Sequence, residues 1–248
     1  MAGHPDADAE TPFETLSVHL WRVPLDAEYS EVSAAVLSPD EQTRADRLKI
    51  PQIRQRFITG RLMLRRILAA QLGQHPAALR FEYAASGKPT LAGTPLHFNF
   101  THSGDLGLLA VADVPVGVDL EQQRSVTALH TMEATILTPE ERQRLDHYIG
   151  DERDTLLLRL WTCKEALVKA TGEGFQAMLR YQLRWDQPSG HMTAHDAQGD
   201  AIPWAVQPLT IHNAYTAAIA AASPAGTTAS KLKLQIIERT YPSELKTS

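Results

Sequence analysis

The chain has 248 residues, 43% of them hydrophobic and 21% charged, with a formal net charge of -5. That length buries a substantial core as one domain or two small lobes, and the composition is ordinary for a soluble globular protein. The acidic balance argues against indiscriminate nucleic-acid binding, while Cys163, the single cysteine, rules out an internal disulfide and fits a reducing cytosol.

Met1 to Glu10 carries Asp6, Asp8 and Glu10 and no apolar run, so it reads as a frayed tail rather than a secretory leader. Ser17 to Val23 alternates as a strand. Ser38-Pro39-Asp40-Glu41 predicts a helix start, with Ser38 as N-cap, Pro39 first in the helix and Glu41 closing a capping box. That helix stops near Lys49, ahead of Pro51. A longer helix follows over 52–72, with Phe57, Leu64, Leu68 and Leu72 at helical spacing and Gly73 as its stop. Short strands are predicted at Leu79–Tyr83, His97–Thr101, Gly107–Ala112 and Val116–Glu121, punctuated by Gly87, Gly93, Gly104 and Pro115. The most apolar stretch, Leu106 to Val118, is broken by Asp113 and Pro115, so no membrane helix is expected.

Thr138-Pro139-Glu140-Glu141 repeats the capping-box pattern, and the strongest helix runs over 151–171 to Gly172. Strand-like pieces follow at Tyr181–Trp185, Ala214–Ala221 and Leu232–Ile237, and the polar Ser189–Asp200 reads as a hairpin loop. The order of elements predicts two similar α+β lobes meeting near residue 115.

Asp119 and Glu121 in Val116-Gly117-Val118-Asp119-Leu120-Glu121 fall on one face of a strand, with Val118 and Leu120 on the other. Two acids so placed are either a solvated strand end or part of a magnesium site, since magnesium takes one or two carboxylates and completes its shell with water and phosphates. In the helix at 151–171, Leu157, Leu160, Leu167 and Val168 form an apolar arc. Trp161, Glu165 and Lys169 follow at steps of four along its border. Glu165 and Lys169 are either a surface ion pair or a third acid with a phosphate-binding lysine, and Trp161 reads as core packing. Lys164 falls inside the apolar arc, where it either snorkels out or meets a buried partner. Three carboxylates beside a lysine suit phosphoryl-type chemistry on a pyrophosphate.

Phe98-Asn99-Phe100-Thr101-His102-Ser103-Gly104 ends a strand with hydroxyl, imidazole and main-chain donors, a set that either binds phosphate or stabilises its own turn. Between Arg44 and Arg66 eight basic residues, including Arg44 and Arg56, face one acid, Asp46: a solvated helix face, or an attractor for phosphates or an acidic protein. Ser86-Gly87-Lys88-Pro89 is a turn that presents Lys88.

Ser-Gly-Lys-Pro, Phe-Asn-Phe-Thr-His-Ser, Gly-Val-Asp-Leu-Glu and Trp-Thr-Cys-Lys-Glu-Ala-Leu-Val-Lys, in that order from about Leu37 to Gly174, resemble the 4′-phosphopantetheinyl transferases, most closely the larger surfactin-synthetase-activating (Sfp-type) group. The resemblance implies an α+β fold of two similar lobes, related by a pseudo-two-fold axis and divided as 1–115 and 116–248. Each lobe would be a small, mostly antiparallel sheet packed with helices, with the active site at the lobe interface. It implies Mg2+ (Mn2+ as a substitute) held by Asp119, Glu121 and Glu165, Glu165 also as general base, and Lys169 on a phosphate oxygen. Thr101 and His102 would hold the 3′-phosphate end of coenzyme A, with further contacts from Arg44, Arg56 and Lys88. Glu41 stands where relatives can carry a basic residue, which shifts weight to Arg44, and Thr101 replaces the commoner serine.

The activity so implied is transfer of 4′-phosphopantetheine from coenzyme A to a serine of an apo acyl, peptidyl or aryl carrier protein, with release of adenosine 3′,5′-bisphosphate. The setting would be fatty-acid, polyketide or nonribosomal-peptide synthesis, in a cytoplasmic monomer that binds neither membrane nor nucleic acid. The nucleophile belongs to the carrier, which agrees with the lack of an evident one in this chain. Two other classes share single features: a magnesium-dependent phosphohydrolase or nuclease shares the carboxylates, and a non-catalytic module for acidic proteins shares the basic stretch.

Overall fold

The computed structural model describes residues 14–27, 35–123, 126–185, 192–212, 214–225, 227 and 232–239. The frayed tail expected at the N-terminus lies outside them. Eleven strands and six α-helices are described. The first lobe holds β1 (Glu14–Pro24), α1 (Pro39–Arg47), α2 (Pro51–Leu72), β2 (Phe81–Tyr83), β3 (Pro89–Leu91), β4 (His97–Ser103) and β5 (Leu106–Ala112). The second holds β6 (Val116–Gln122), α3 (Val126–His130), α4 (Glu133–Ile136), α5 (Pro139–Leu145), α6 (Gly150–Thr171), β7 (Gln182–Trp185), β8 (Met192–His195), β9 (Ala201–His212) and β10 (Tyr215–Ala222), and β11 (Leu232–Arg239) follows.

Strand alternation builds the layers. In β1, Val18 and Leu20 face a central core shared with Val118, Leu120, Ala217 and Ile219 of the second sheet. Trp21 and Val23 face the other way, onto Met63 and Ile67 of α2. Ala218 and Ala220 of β10 likewise face away from the centre, onto Leu160 and Leu167 of α6. The protein is therefore helix, sheet, sheet, helix. Both long helices end where glycine was expected to stop them, at Gly73 (φ 62°) and Gly172 (φ 76°), each in the left-handed region.

The two lobes share a topology. The sheets run β11-β1-β5-β4 and β6-β10-β9-β8-β7. Thus β1, α2, β4 and β5 correspond to β6, α6, β9 and β10, and the equivalent strand pairs are all antiparallel. This is the mostly antiparallel, two-lobe α+β fold expected. One pairing is parallel: β11 lies against β1, with Leu234 opposite Leu16. A lobe boundary between β5 and β6 is our proposal, with β11 crossing back to complete the first sheet.

Three elements differ from expectation. The Ser189–Asp200 hairpin loop contains a strand, β8, and its tip is the tight turn around Gly199. The longest strand, β9, carries no clean alternation and two prolines; Pro208 is tolerated because β8 pairs only with the earlier part of β9. The segment between β6 and α5 folds into the short helices α3 and α4, fastened to α6 by a two-point pair from Arg153 to Glu133, both bonds 2.8 Å.

Each lobe also carries one buried polar latch. Glu141, in the capping box of α5, accepts from Thr138 N at 2.8 Å, Leu183 N at 2.7 Å and Lys164 Nζ at 2.6 Å. Lys164, inside the apolar arc, thus meets a buried partner, and it also donates to Tyr181 O at 2.7 Å. In the first lobe Glu41 accepts from Ser38 N at 2.9 Å, Arg61 Nε at 2.6 Å and Arg65 Nε at 2.7 Å, and Arg65 donates onward to Leu79 O at 3.2 Å. Glu41 is therefore a structural anion here.

Lys164→Met would leave Glu141 fully buried and, among the described residues, with no cationic partner. We expect it to cost about 3–5 kcal/mol, read as a lower urea midpoint with an unchanged slope.

Candidate active site

The seam between the lobes is made by β4, β6 and α6. Gly117 sets its geometry: a Cβ there would lie 2.1 Å from Ala166 O and 2.4 Å from Ala170 N. With hydrogen in that place, the backbone of β6 touches the backbone of α6. The outward face of β6 then aims Asp119 and Glu121 along the side of α6 that carries Glu165 and Lys169. Next to β6 runs β4, joined to it by side chains. Asn99 Oδ1 accepts from Val118 N at 2.8 Å, Thr101 Oγ1 donates to Asp119 Oδ1 at 3.2 Å, and Ser103 Oγ accepts from Gln122 N at 3.3 Å.

Lys169 is the hub. Its ammonium donates to Asp119 Oδ1 at 2.5 Å and Thr101 Oγ1 at 3.2 Å, and lies 4.0 Å from Glu165 Oε2. Glu121 accepts from the Trp161 indole at 3.1 Å and, at the limit of a hydrogen bond, from Ser103 Oγ at 3.5 Å. Burial raises the Glu121 pKa, Trp161 opposes the rise and Asp119 adds to it. Burial also lifts Glu165, to about 7, against Lys169 and with help from Asp119 and Glu121. Three acids crowded away from water around one lysine form a site that favours added positive charge.

Beside this group lies a cleft of about 280 Å³, lined from one lobe by Ser86, Gly87, Lys88 and Asn99 and from the other by Glu165, Lys169 and Phe175. Lys88 Nζ is committed to two main-chain carbonyls, Val116 O at 3.1 Å and Ala170 O at 2.8 Å.

His102 takes the opposite side of β4 from Thr101, next to Phe100 at 6.3 Å between ring centroids. Burial first, then the charges of Lys169, Arg56 and Arg44, lower its pKa and favour the neutral ring. Arg44 sits over the Phe57 ring at 5.2 Å, and Arg56 makes a two-point pair with Asp26 at 2.6 and 2.8 Å. The structure therefore groups Thr101, Asp119, Glu121, Glu165 and Lys169 tightly. His102, Arg44 and Arg56 form a neighbouring basic group, and Lys88 lines the cleft across from Glu165 and Lys169 with its ammonium turned onto main-chain carbonyls. The basic stretch is less open than its composition suggests, since Arg54, Arg56, Arg61 and Arg65 all pair with acids.

Sequence reasoning missed two contributors, Asn99 and Gln122; it read Ser103 as part of the strand-end donor set and Trp161 as core packing. Asn99 had a signal, because it alternates with Phe98 and Phe100. Trp161 packs beside Phe175, as core packing implies, but its N–H also holds Glu121. Gln122 donates to the Tyr215 hydroxyl at 3.0 Å, a contact 93 residues apart that no local pattern announces.

The donors fit a hard divalent cation: all are carboxylate or hydroxyl oxygens. Asp119 Oδ2 is buried and, among the described residues, has no hydrogen-bond partner. Among the described residues no three acids, imidazoles or thiols already converge on a single point. The Lys169 ammonium lies between Asp119 and Glu165 and supplies the counter-charge.

The raised Glu165 pKa has a definite sign for stability. Below its ordinary value of 4.5 the carboxyl is protonated folded and unfolded. Between 4.5 and about 7 the unfolded chain ionises first, so the folded protein binds more protons and loses stability as pH rises. In metal-free protein, Glu165→Gln is expected to be more stable than wild type above about pH 7, by up to about 3 kcal/mol, and indistinguishable below pH 4.5. Urea titrations at both pH values measure this.

Comparison with known proteins bears on this arrangement. Residues 115–220 match the 4′-phosphopantetheinyl transferase superfamily, and residues 20–113 match the family described as 4′-phosphopantetheinyl transferase, N-terminal. The 4′-phosphopantetheinyl transferase HetI of Nostoc sp. is 39% identical, over 67% of this chain and 73% of its own. The 4′-phosphopantetheinyl transferase Sfp of Bacillus subtilis is 24% identical, over 81% and 89%. A crystal structure of a holo-(acyl-carrier-protein) synthase from Bacillus anthracis, in complex with CoA (3′,5′-ADP), aligns with a TM-score of 0.37 and 21% identity, over 45% of this chain and 97% of that one. By its sequence relatives, and with a seam of three acids and one lysine at its centre, the chain belongs to the 4′-phosphopantetheinyl transferase superfamily.

Proposed function

We propose that this transferase moves the 4′-phosphopantetheine of coenzyme A onto a serine hydroxyl of an apo acyl, peptidyl or aryl carrier protein, as an Sfp-type member of its family. The observation that supports this most is Lys169, bonded to Asp119 and Thr101 and facing Glu165 beside an open cleft. In the reaction the carrier serine oxygen bonds to the phosphorus nearest the pantetheine. The bond from that phosphorus to the bridging pyrophosphate oxygen breaks, and adenosine 3′,5′-bisphosphate leaves.

Glu165 takes the serine proton. In the metal-free protein burial lifts its pKa to about 7; a cation held beside it would lower that value and keep the carboxylate ionised, as a base must be. Lys169 exchanges its contact with Asp119 for a phosphate oxygen and neutralises the leaving group. Asp119, Glu121 and Glu165 hold Mg2+, or Mn2+ in its place, with Trp161 and Ser103 orienting Glu121. Bound there, the cation supplies charge compensation for the pyrophosphate oxygens. The neutral His102, with Arg44, Arg56 and Thr101, holds the 3′-phosphate end; the pairing of Arg56 with Asp26 leaves Arg44 the less encumbered cation.

Among the described residues no helix is long and apolar enough to cross a membrane. Both lobes and every proposed site residue lie in one chain, which supports a monomer. Cys163, the lone cysteine, is buried and unpaired, which supports the cytoplasm. Carriers of fatty-acid, polyketide or nonribosomal-peptide synthesis are the proposed partners.

Glu165→Gln is expected to lose at least about 100-fold in transfer while keeping its fold. The measurement is intact-protein mass spectrometry of an apo carrier after incubation with coenzyme A. Near-normal turnover would remove Glu165 as the base, and hydrolysis of coenzyme A by wild type without modification of any carrier in a panel would remove the transfer reaction. His102→Ala is expected to weaken coenzyme A by about 10-fold or more, and 3′-dephospho-coenzyme A by much less, since a hydrogen bond to a charged group is lost only in the first case. Calorimetric titration of both ligands compares the two losses.

A further inference from the structure

Lys88 reaches from the β2–β3 turn of the first lobe to two carbonyls of the second. Val116 opens β6, and Ala170 stands in the last turn of α6. The last carbonyls of a helix have no N–H partner within it and carry the negative end of its dipole. In α6 the turn is closed by Gly172 N on Val168 O at 3.0 Å and Thr171 Oγ1 on Val168 O at 3.1 Å. Lys88 meets Ala170 O at 2.8 Å instead. Its two acceptors flank the spot where Gly117 lets strand and helix backbones touch, and Ala170 directly follows Lys169. The stem is held too, since the Lys88 Cδ lies 3.6 Å from where a Cβ of Gly172 would stand. Burial pulls the Lys88 pKa down to about 8, as fits an ammonium held inside the seam rather than swinging in water.

We propose that Lys88 is a positioning residue: it clips the first lobe's turn to the start of β6 and the end of α6, and so holds Lys169 and Glu165 at their working distances from Asp119. It acts through the helix end, in addition to any contact that the Ser86–Pro89 turn makes with coenzyme A in the cleft it lines. The kinetic part of its test rests on the transferase reading; the structural part does not.

Lys88→Met keeps most of the stem and deletes the donors. In the free protein, amides of the last turn of α6, Val168 to Gly172, are expected to exchange hydrogen about 10-fold faster or more, with those at Leu157 to Leu160 unchanged. In the transfer assay kcat is expected to fall about 10-fold or more while KM for coenzyme A moves less than about 3-fold, because the loss is in alignment and not in ligand binding. Lys88→Arg, which keeps the charge and N–H donors, is expected to recover part of both. Wild-type exchange in Lys88→Met, or in Lys88→Arg should the first not fold, together with a raised KM and unchanged kcat, would overturn the clip in favour of a ligand contact. Faster exchange in protein whose wild type transfers nothing would support the clip and count against the reaction alone.

Discussion

The backbone contact of β6 with α6 at Gly117 governs the rest of the site. Helix and strand surfaces ordinarily keep a layer of side chains between them. Here one hydrogen stands in that layer, and any larger group would collide with Ala166 O and Ala170 N. The closeness makes short side chains sufficient: an aspartate on the strand meets a lysine on the helix at 2.5 Å without either reaching far. It also removes water, which is why Glu121 and Glu165 are reluctant to ionise. Proximity and basicity of the site thus have one steric origin.

That contact is useful only if α6 cannot slide, and the buried latch prevents sliding. Lys164, one residue before Glu165, is tied to Glu141 and Tyr181 O, so the helix is pinned in rotation and along its axis. A buried ion pair seldom adds net stability over an apolar packing of the same volume. Its use here is registry, and the first lobe shows the same device: Leu37-Ser38-Pro39-Asp40-Glu41 answers Leu137-Thr138-Pro139-Glu140-Glu141, and Arg65 answers Lys164 in reaching a carbonyl just before the next strand. The lobes diverged in chemistry while keeping this latch. Glu41, where relatives can carry a cation, is thereby committed to framework.

Much of this was legible beforehand. Both capping boxes, both glycine stops and the alternation of β6 are local, and local signals survive in a sequence. Lys164 was legible as a question, since a charge inside an apolar arc demands a partner, but only the fold could name Glu141. β9 was illegible because Pro203 and Pro208 interrupt its pattern, and its partners, not its composition, make it a strand. Trp161 was half legible: helical spacing put it at the border of the buried face, and nothing local reveals which atom its indole N–H will meet. Of the proposed site, the acids and Lys169 came from spacing, whereas the strand expected to end at Thr101 runs on to Ser103, and only that extension lets alternation put His102 and Thr101 on opposite sides of β4.

The parallel strand β11 carries a consequence for how the molecule assembles. Its partner β1 lies 218 residues earlier at the Glu14–Leu232 pair, with the whole second lobe in between. As the chain is synthesised, β1 therefore waits with one edge bare until everything that forms the second sheet has emerged. The second lobe has every one of its own strands by Ala222 and can close first. Long-range pairing of this kind is slow, because a large loop must close before the contact rewards it, and a waiting edge invites other strands. The half made last thus holds the strand that finishes the sheet of the half made first.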